Sequence, residues 1–211
     1  MKIIDCEQGS AAWLQARCGR VTASNIADVL SRSRDRKSEG ATRRNYKARI
    51  ISELLTGRPQ EHGYTNKAME DGIALEPFAR GAYEARHNVM VDQVGLVLHP
   101  AIDRAAASPD GLVGAEGLVQ LKCPYPATHI GYLLAGVVPS EYEPQMSWEI
   151  ACTEREWCDF VSYCPIFPQY LQLFVMRFQR DDKRIQEITA EVIVFLREVD
   201  EMIERLNRKA A

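Results

Sequence analysis

The clearest periodicity lies at the end of the chain. From Asp182 onward, apolar residues fall at Ile185, Ile188, Val192, Phe195, Val199, Ile203 and Leu206. Steps of three and four residues line one stripe of a helix, so a long amphipathic C-terminal helix is expected. Residues 41–56 carry Tyr46, Ile50, Ile51, Leu54 and Leu55 at similar spacing, and Gly57 is the natural stop. Thr65 opens a further helical stretch carrying Met69, Ile73, Phe78 and Ala82, with Pro77 expected to kink it because proline donates no N–H. Thr22 or Ser24 caps a short helix running through Leu30. Residues 31–40 read as a polar, mobile loop.

Between these helices the period changes. Val89–Leu98, Ala105–Ser108 and Leu118–Cys123 read as strands, followed by helices near 126–135 and 141–152. Residues 158–164 and 171–178 are rich in aromatic and β-branched side chains and also read as strands. The expectation is one α/β domain over residues 1–211, a central mixed β-sheet flanked by helices, with no repeat and no linker. At 211 residues, 46% apolar and 26% charged, the chain can bury a sizeable core unaided. No apolar run approaches the roughly 20 residues of a membrane span, and the N-terminus lacks the pattern of a secretion signal. A cytoplasmic location is the resulting expectation. The six cysteines make no CxxC pair and the four histidines are scattered, which disfavours zinc and disulfides alike.

Net charge is −3, but it is unevenly spread. Arg32–Arg49 holds eight basic residues against Asp35 and Glu39, a local +6 beside a remainder of −9. Such a stretch suits a protein that meets phosphate on one face, and Arg32, Arg34, Arg43 and Arg44 are its candidate DNA contacts.

The candidate chemistry sits in Ser108-Pro109-Asp110 and Gln120-Leu121-Lys122. Gly111, Gly114 and Gly117 let the chain turn back, and a hairpin centred on Ala115 pairs residues whose numbers sum to 230. Asp110 then faces Gln120. Gln120 and Lys122 leave the same face of their strand, while the Leu121 carbonyl stays near the same edge. Magnesium takes hard oxygen ligands and retains waters, activates water as a nucleophile, and neutralises phosphate charge. A neighbouring lysine can orient or deprotonate that water.

Around this cluster the sequence resembles the phage λ exonuclease family, the YqaJ-type alkaline exonucleases of the PD-(D/E)xK superfamily. The family signature is SPDG, about ten residues, then ELKCP. Here Ser108-Pro109-Asp110-Gly111 is followed by Gln120-Leu121-Lys122-Cys123-Pro124. Trp13-Leu14, Arg17 and Gly19-Arg20-Val21-Thr22-Ala23-Ser24 match the N-terminal block. Gly72 to Glu76 matches a G-x-x-x-E helix, and Gln145 with Trp148 matches a Q-x-x-aromatic pair.

The resemblance implies a restriction-endonuclease-like core and a 5′-to-3′ exonuclease that degrades one strand of linear duplex to mononucleotides, leaving a 3′ single strand for recombination. It implies Mg²⁺, with Mn²⁺ able to substitute, held by Asp110, position 120 and the Leu121 carbonyl. Lys122 acts on the attacking water, Glu76 points at the metal's waters, and Gln145 supports the lysine or the water. Arg17, Ser24 and Ser108 would take the 5′-terminal phosphate. A phage or prophage protein working in a bacterial cytoplasm, a homotrimeric ring around double-stranded DNA and a single-strand annealing partner are implied in the same way.

One position departs from the family. Gln120 replaces its glutamate, and losing one preorganised charge typically costs on the order of 10²–10³ in rate. A disabled nuclease, a catalytically silent DNA-end binder and an endonuclease of the same superfamily remain distinct readings at this point.

Overall fold

A computed structural model describes residues 1–33, 38–60 and 67–210. The chain begins with β1 (Lys2–Ile4), α1 (Ala11–Arg17) and β2 (Val21–Thr22), then a 3₁₀ turn at Ala23–Asn25 leading into α2 (Ile26–Leu30). Helices α3 (Ala41–Thr56) and α4 (Lys67–His87) follow. Next come the short strands β3 (Val91–Asp92), β4 (Leu96–Leu98), β5 (Ala105–Ala107) and β6 (Gly111–Val113), then β7 (Gly117–Lys122). Helices α5 (Pro126–Ala135) and α6 (Glu143–Thr153) lead to β8 (Trp157–Tyr163), β9 (Leu173–Gln179) and α7 (Asp182–Ala210).

The stripe on α7 is buried as its spacing requires: Ile188, Val192, Phe195 and Val199 have no exposed surface, and only Leu206 near the end emerges. Helix α3 ends where Gly57 adopts φ +66°, a left-handed turn in which its N–H caps the Glu53 carbonyl.

The central sheet has the order β3-β6-β7-β8-β9, antiparallel except for the parallel pair β7–β8. A second sheet, β1-β4-β5-β2, stands beside it. The β6–β7 hairpin pairs Gly111 with Val119, Leu112 with Leu118 and Val113 with Gly117, the register read from the sequence. Alternation along β7 then sorts its side chains. Val119 and Leu121 pack in a cluster with Ala79 and Tyr83 of α4. Leu118 joins the larger core with Met146, Trp148 and Ile150 of α6 and the α7 stripe. Gln120 and Lys122 therefore leave the sheet on the α6 side.

Several expectations change. The single strand expected over Val89–Leu98 is two strands, β3 and β4, separated at Gly95. Gly95 sits so close to the Ile4 carbonyl and the Cys6 backbone that a side chain would collide. Ile73 and Phe78 do not face the core. They are 63% and 64% exposed, and α4 buries Ala79 and Tyr83 instead. Neither Thr22 nor Ser24 makes a side-chain cap. Arg32 and Glu39 form an isolated bridge across the 31–40 segment, while Arg34 and Thr65 lie outside the described residues.

Arg43 is corrected as a DNA contact. It is 1% exposed, lies against the Phe195 ring and bonds the Val29 carbonyl and, at 3.1 Å, Glu198 of α7. The reason is helix packing: α3 lies on α7, and Arg43 and Lys47 bring their charges to Glu39 and Glu198 at that contact. Arg32 is paired with Glu191 at 2.6 Å, and Arg44 is exposed on α3.

Candidate active site

The site forms where the β6–β7 hairpin opens. Asp110 precedes β6, opposite Gln120, as the register demands. Its Oδ2 accepts from the Leu121 backbone N–H at 2.6 Å and from the Gln120 amide. A residue's N–H and C=O point to the same side of a strand, so the Leu121 carbonyl is directed toward Asp110 as well.

Gln120 is 1% exposed, and both the nitrogen and the oxygen of its amide are hydrogen-bonded. Its nitrogen serves Asp110, and its oxygen accepts from Gln145 Nε2 at 2.8 Å. The same Gln145 nitrogen donates to Glu149 Oε1 at 2.9 Å, one helical turn on. Asp110, Gln120, Gln145 and Glu149 thus form one continuous chain of hydrogen bonds from the hairpin to α6.

Helix α4 closes the other side. Glu76, Arg80 and Asp110 line a cleft of about 530 Å³, with Gln8, Ile73 and Val94 along its wall. Exposed Ile73 is therefore a cleft residue rather than a core residue. Lys122 sits with its ammonium 5.1 Å from the Tyr142 ring centre, and its charge acts on all three carboxylates, Glu76, Asp110 and Glu149.

Those three carboxylates share one electrostatic signature. Burial pushes Glu76 up to about 7, with the Asp110 charge adding to it and Lys122 and Arg80 opposing. Burial likewise raises Asp110, against Lys122 and the Leu121 N–H. Glu149 rises to about 8, through burial first and Asp110 second. Acids crowded together in low dielectric hold protons, and a cation placed among them would release those protons. Among the described residues no three His, Cys, Asp or Glu side chains are placed to hold a metal ion by themselves, so a cation here would rest on two carboxylates at most, with backbone oxygen and water. The donors present are hard oxygens: Asp110 and Glu76 line the partly open cleft, the Leu121 carbonyl is directed toward Asp110, and behind them the buried Glu149 Oε2 has no hydrogen-bond partner. That set suits an ion such as Mg²⁺, which takes few protein ligands and keeps waters.

A second cluster joins Arg17, Ser24 and Ser108. The Arg17 guanidinium donates to Ser24 Oγ and Thr22 Oγ1, each at 3.1 Å, and stacks 4.2 Å above Trp13. The Trp13 indole in turn donates to Ser108 Oγ at 2.9 Å. Arg49 lines the same pocket as Arg17. Burial, then the neighbouring Arg49, lowers Arg17 to about 10, so an anion here would meet two crowded cations. Ser108 adjoins Pro109 and Asp110, so this cluster and the carboxylates lie on one stretch of chain.

Every sequence-derived site residue except the candidate DNA contacts Arg32, Arg34, Arg43 and Arg44 falls into these two clusters. The sequence reading missed Glu149, Arg80 and the bridging role of Trp13. A signal for Glu149 existed: it is the lone acid in the apolar run Met146–Cys152 and stands four residues after Gln145. The aromatic partner Trp148, by contrast, is a core residue with no exposed surface, stacked on His99 at 4.9 Å.

The family model for the YqaJ-like viral recombinase domain matches residues 12–156. Crystal structures of an alkaline exonuclease from Laribacter hongkongensis, one in complex with dAMP, superpose with a TM-score of 0.87 at 45% identity. They cover 95% of this chain and 98% of that one. A phage-related exonuclease from Haemophilus somnus shares the fold at TM-score 0.69 and 16% identity, over 89% of this chain and 96% of that one. An uncharacterized mimivirus protein, R354 of Acanthamoeba polyphaga mimivirus, is 28% identical over 174 residues, 76% of this chain. The chain spans only 30% of that relative's length. By the span of the family match and the close likeness to the Laribacter enzyme, the chain belongs to the YqaJ-like viral recombinase family and is built on the fold of an alkaline exonuclease.

Proposed function

We propose that the protein is a divalent-metal-dependent exonuclease that removes nucleotides from the 5′ ends of linear duplex DNA and leaves a 3′ single strand. The observation that carries this reading is the convergence of Glu76, Asp110, Lys122 and the Leu121 carbonyl at the hairpin mouth, beside an arginine–hydroxyl pocket. Asp110, the Leu121 carbonyl and Glu76 would hold Mg²⁺ or Mn²⁺, which supplies a hydroxide-like nucleophile and charge neutralisation when bound. Lys122 orients the attacking water and takes part in its deprotonation. Gln145 holds the amide of Gln120 in place. Arg17, Ser24 and Ser108 take the terminal 5′-phosphate, Arg17 by its charged fork and the serines by their hydroxyls. Anchoring the end there places the first phosphodiester bond against the carboxylates. A ring-shaped trimer around the duplex, an annealing partner, action in a bacterial cytoplasm and a phage origin belong to the same proposal. No helix among the described residues is long and apolar enough to cross a membrane.

A second reading, an end-binding protein without turnover, is favoured by one observation: a neutral amide at Gln120 where the family has a carboxylate.

The test follows nucleotide release from linear duplex with 5′-phosphate or 5′-hydroxyl ends and from closed circles, in Mg²⁺ and in EDTA. Release only from linear, 5′-phosphorylated duplex and only with metal is the expected result. Cutting of closed circles would identify an endonuclease. Retention of DNA ends with no nucleotide released would leave the end-binding reading in its place.

A further inference from the structure

Glu149 is hard to explain as a structural residue. It has no exposed surface and sits on α6 among Met146, Trp148, Ile150 and Cys152, all fully buried. A buried carboxylate costs several kcal/mol in effective desolvation unless charge and hydrogen bonds offset it. Here no ion pair within 4.0 Å is found among the described residues, one oxygen accepts a single amide bond, and the other has no partner. A leucine or methionine would stabilise this helix better. Burial of an unpaired acid on a helix face is therefore best explained by something the acid does.

Its surroundings point to what that is. The Gln145 nitrogen that serves Glu149 also serves Gln120, and Gln120 serves Asp110. The charged groups that act on Glu149 are Asp110 and Lys122, both members of the hairpin cluster. Gln120 leaves β7 toward α6, so the strand position and the helix position address the same space from two sides. We propose that Glu149 supplies the carboxylate that Gln120 lacks, completing the metal centre from α6 instead of from β7. Glu76, Asp110 and Glu149, together with Lys122, carry a formal charge of −2 when ionised, which one divalent cation neutralises. A glutamate at position 120 in addition would leave an uncompensated buried charge. On this account Gln120 is the neutral half of a relocated pair and its presence does not disable the site.

The inference rests on the metal-dependent reading above, and the experiment separates the two. Mn²⁺ alone, without DNA, is titrated calorimetrically into the parent protein, Glu149→Gln and the double variant Gln120→Glu/Glu149→Gln. Glu149→Gln is expected to weaken Mn²⁺ binding about 10- to 100-fold, and the double variant to recover most of it by returning the carboxylate to the strand. Melting curves with and without Mn²⁺ give a second readout, the metal-dependent rise in midpoint, which should shrink in Glu149→Gln and recover in the double variant. Because the amide is isosteric and uncharged, metal-free Glu149→Gln should unfold no earlier than the parent. Should it fail to fold, the double variant decides, since relocation requires it to bind Mn²⁺ within a few-fold of the parent. Parent-like Mn²⁺ affinity in Glu149→Gln, or a double variant with no recovered affinity, overturns the inference while leaving the nuclease reading intact. A parent that binds no Mn²⁺ and releases no nucleotides overturns both.

Discussion

Replacing Glu149 by glutamine should make the metal-free protein more stable in alkaline solution, and the gain should grow with pH. The carboxyl binds its proton more tightly folded than unfolded, with a folded value of about 8 against an ordinary 4.5. Between those values the folded chain keeps a proton that the unfolded chain has released, so stability falls as pH rises. The stabilising contribution is complete below pH 4.5 and is lost as pH climbs through about 8. At about 1.4 kcal/mol per tenfold change in proton affinity, the full span sets an upper bound of ~5 kcal/mol. Glu76 also moves up, to about 7, so both proteins share its slope and the difference between them isolates Glu149. The assay is urea unfolding in EDTA at pH 5, 6, 7, 8 and 9, followed by tryptophan fluorescence and far-ultraviolet dichroism. The variant-minus-parent free energy should be small at pH 5, rise by more than about 2 kcal/mol by pH 8 and flatten beyond it. A difference that stays constant across the series would refute the burial and crowding assigned to this group.

Two further outcomes test other parts of the molecule. Arg43→Ala removes the cation from the α3–α7 contact and leaves Glu198 with Lys47 alone, so the melting midpoint should drop by the equivalent of about 3–5 kcal/mol. Duplex affinity by fluorescence anisotropy, measured well below that midpoint, should stay at the parent value; a fall in affinity with unchanged stability would return Arg43 to the DNA surface. Trp13→Phe keeps a ring under Arg17 and deletes the indole N–H to Ser108 Oγ, so binding of 5′-phosphorylated ends should weaken by the roughly fivefold that about 1 kcal/mol represents. Ends bearing a 5′-hydroxyl should bind Trp13→Phe as they bind the parent, and an equal loss for both would place Trp13 outside the phosphate pocket.

What could be read from the chain follows the range of the interactions involved. Helix α3 and its stop at Gly57 depend on neighbours within four residues, and both were legible. So was the hairpin register, because Gly114, at φ +55°, and the flanking alternation leave few ways to close the turn. That register placed Asp110 opposite Gln120 and oriented Lys122. Strands β1 and β2 escaped because two or three residues carry no usable period, and their pairing depends on β4 and β5, more than 80 residues away. Ile73 and Phe78 misled because apolar letters at helical spacing do not say which side is covered; Tyr83 is buried because its hydroxyl reaches Asp159 at 2.8 Å. Arg43 and Lys47 misled for the converse reason. Their acidic partner Glu198 lies on α7, about 150 residues downstream, so a charge count on the local segment registered a surplus that the fold neutralises.

The same limit bears on Gln120. A motif compares letters at fixed spacing along one strand, whereas the chemistry requires negative charge at a point in space. Two elements meet at this point. β7 presents position 120 from the sheet, α6 presents position 149 from above it, and the Gln145 amide touches both side chains within 2.9 Å. Moving the carboxylate from one to the other preserves the charge facing Asp110 and changes only the route by which the backbone delivers it. Local spacing registers the loss at 120 and is blind to the gain at 149, because the two positions are 29 residues apart in sequence. If charge at that point is what the site requires, exchanging the acid and the amide between the two positions should preserve metal binding, while an amide at both, as in Glu149→Gln, should weaken it about 10- to 100-fold.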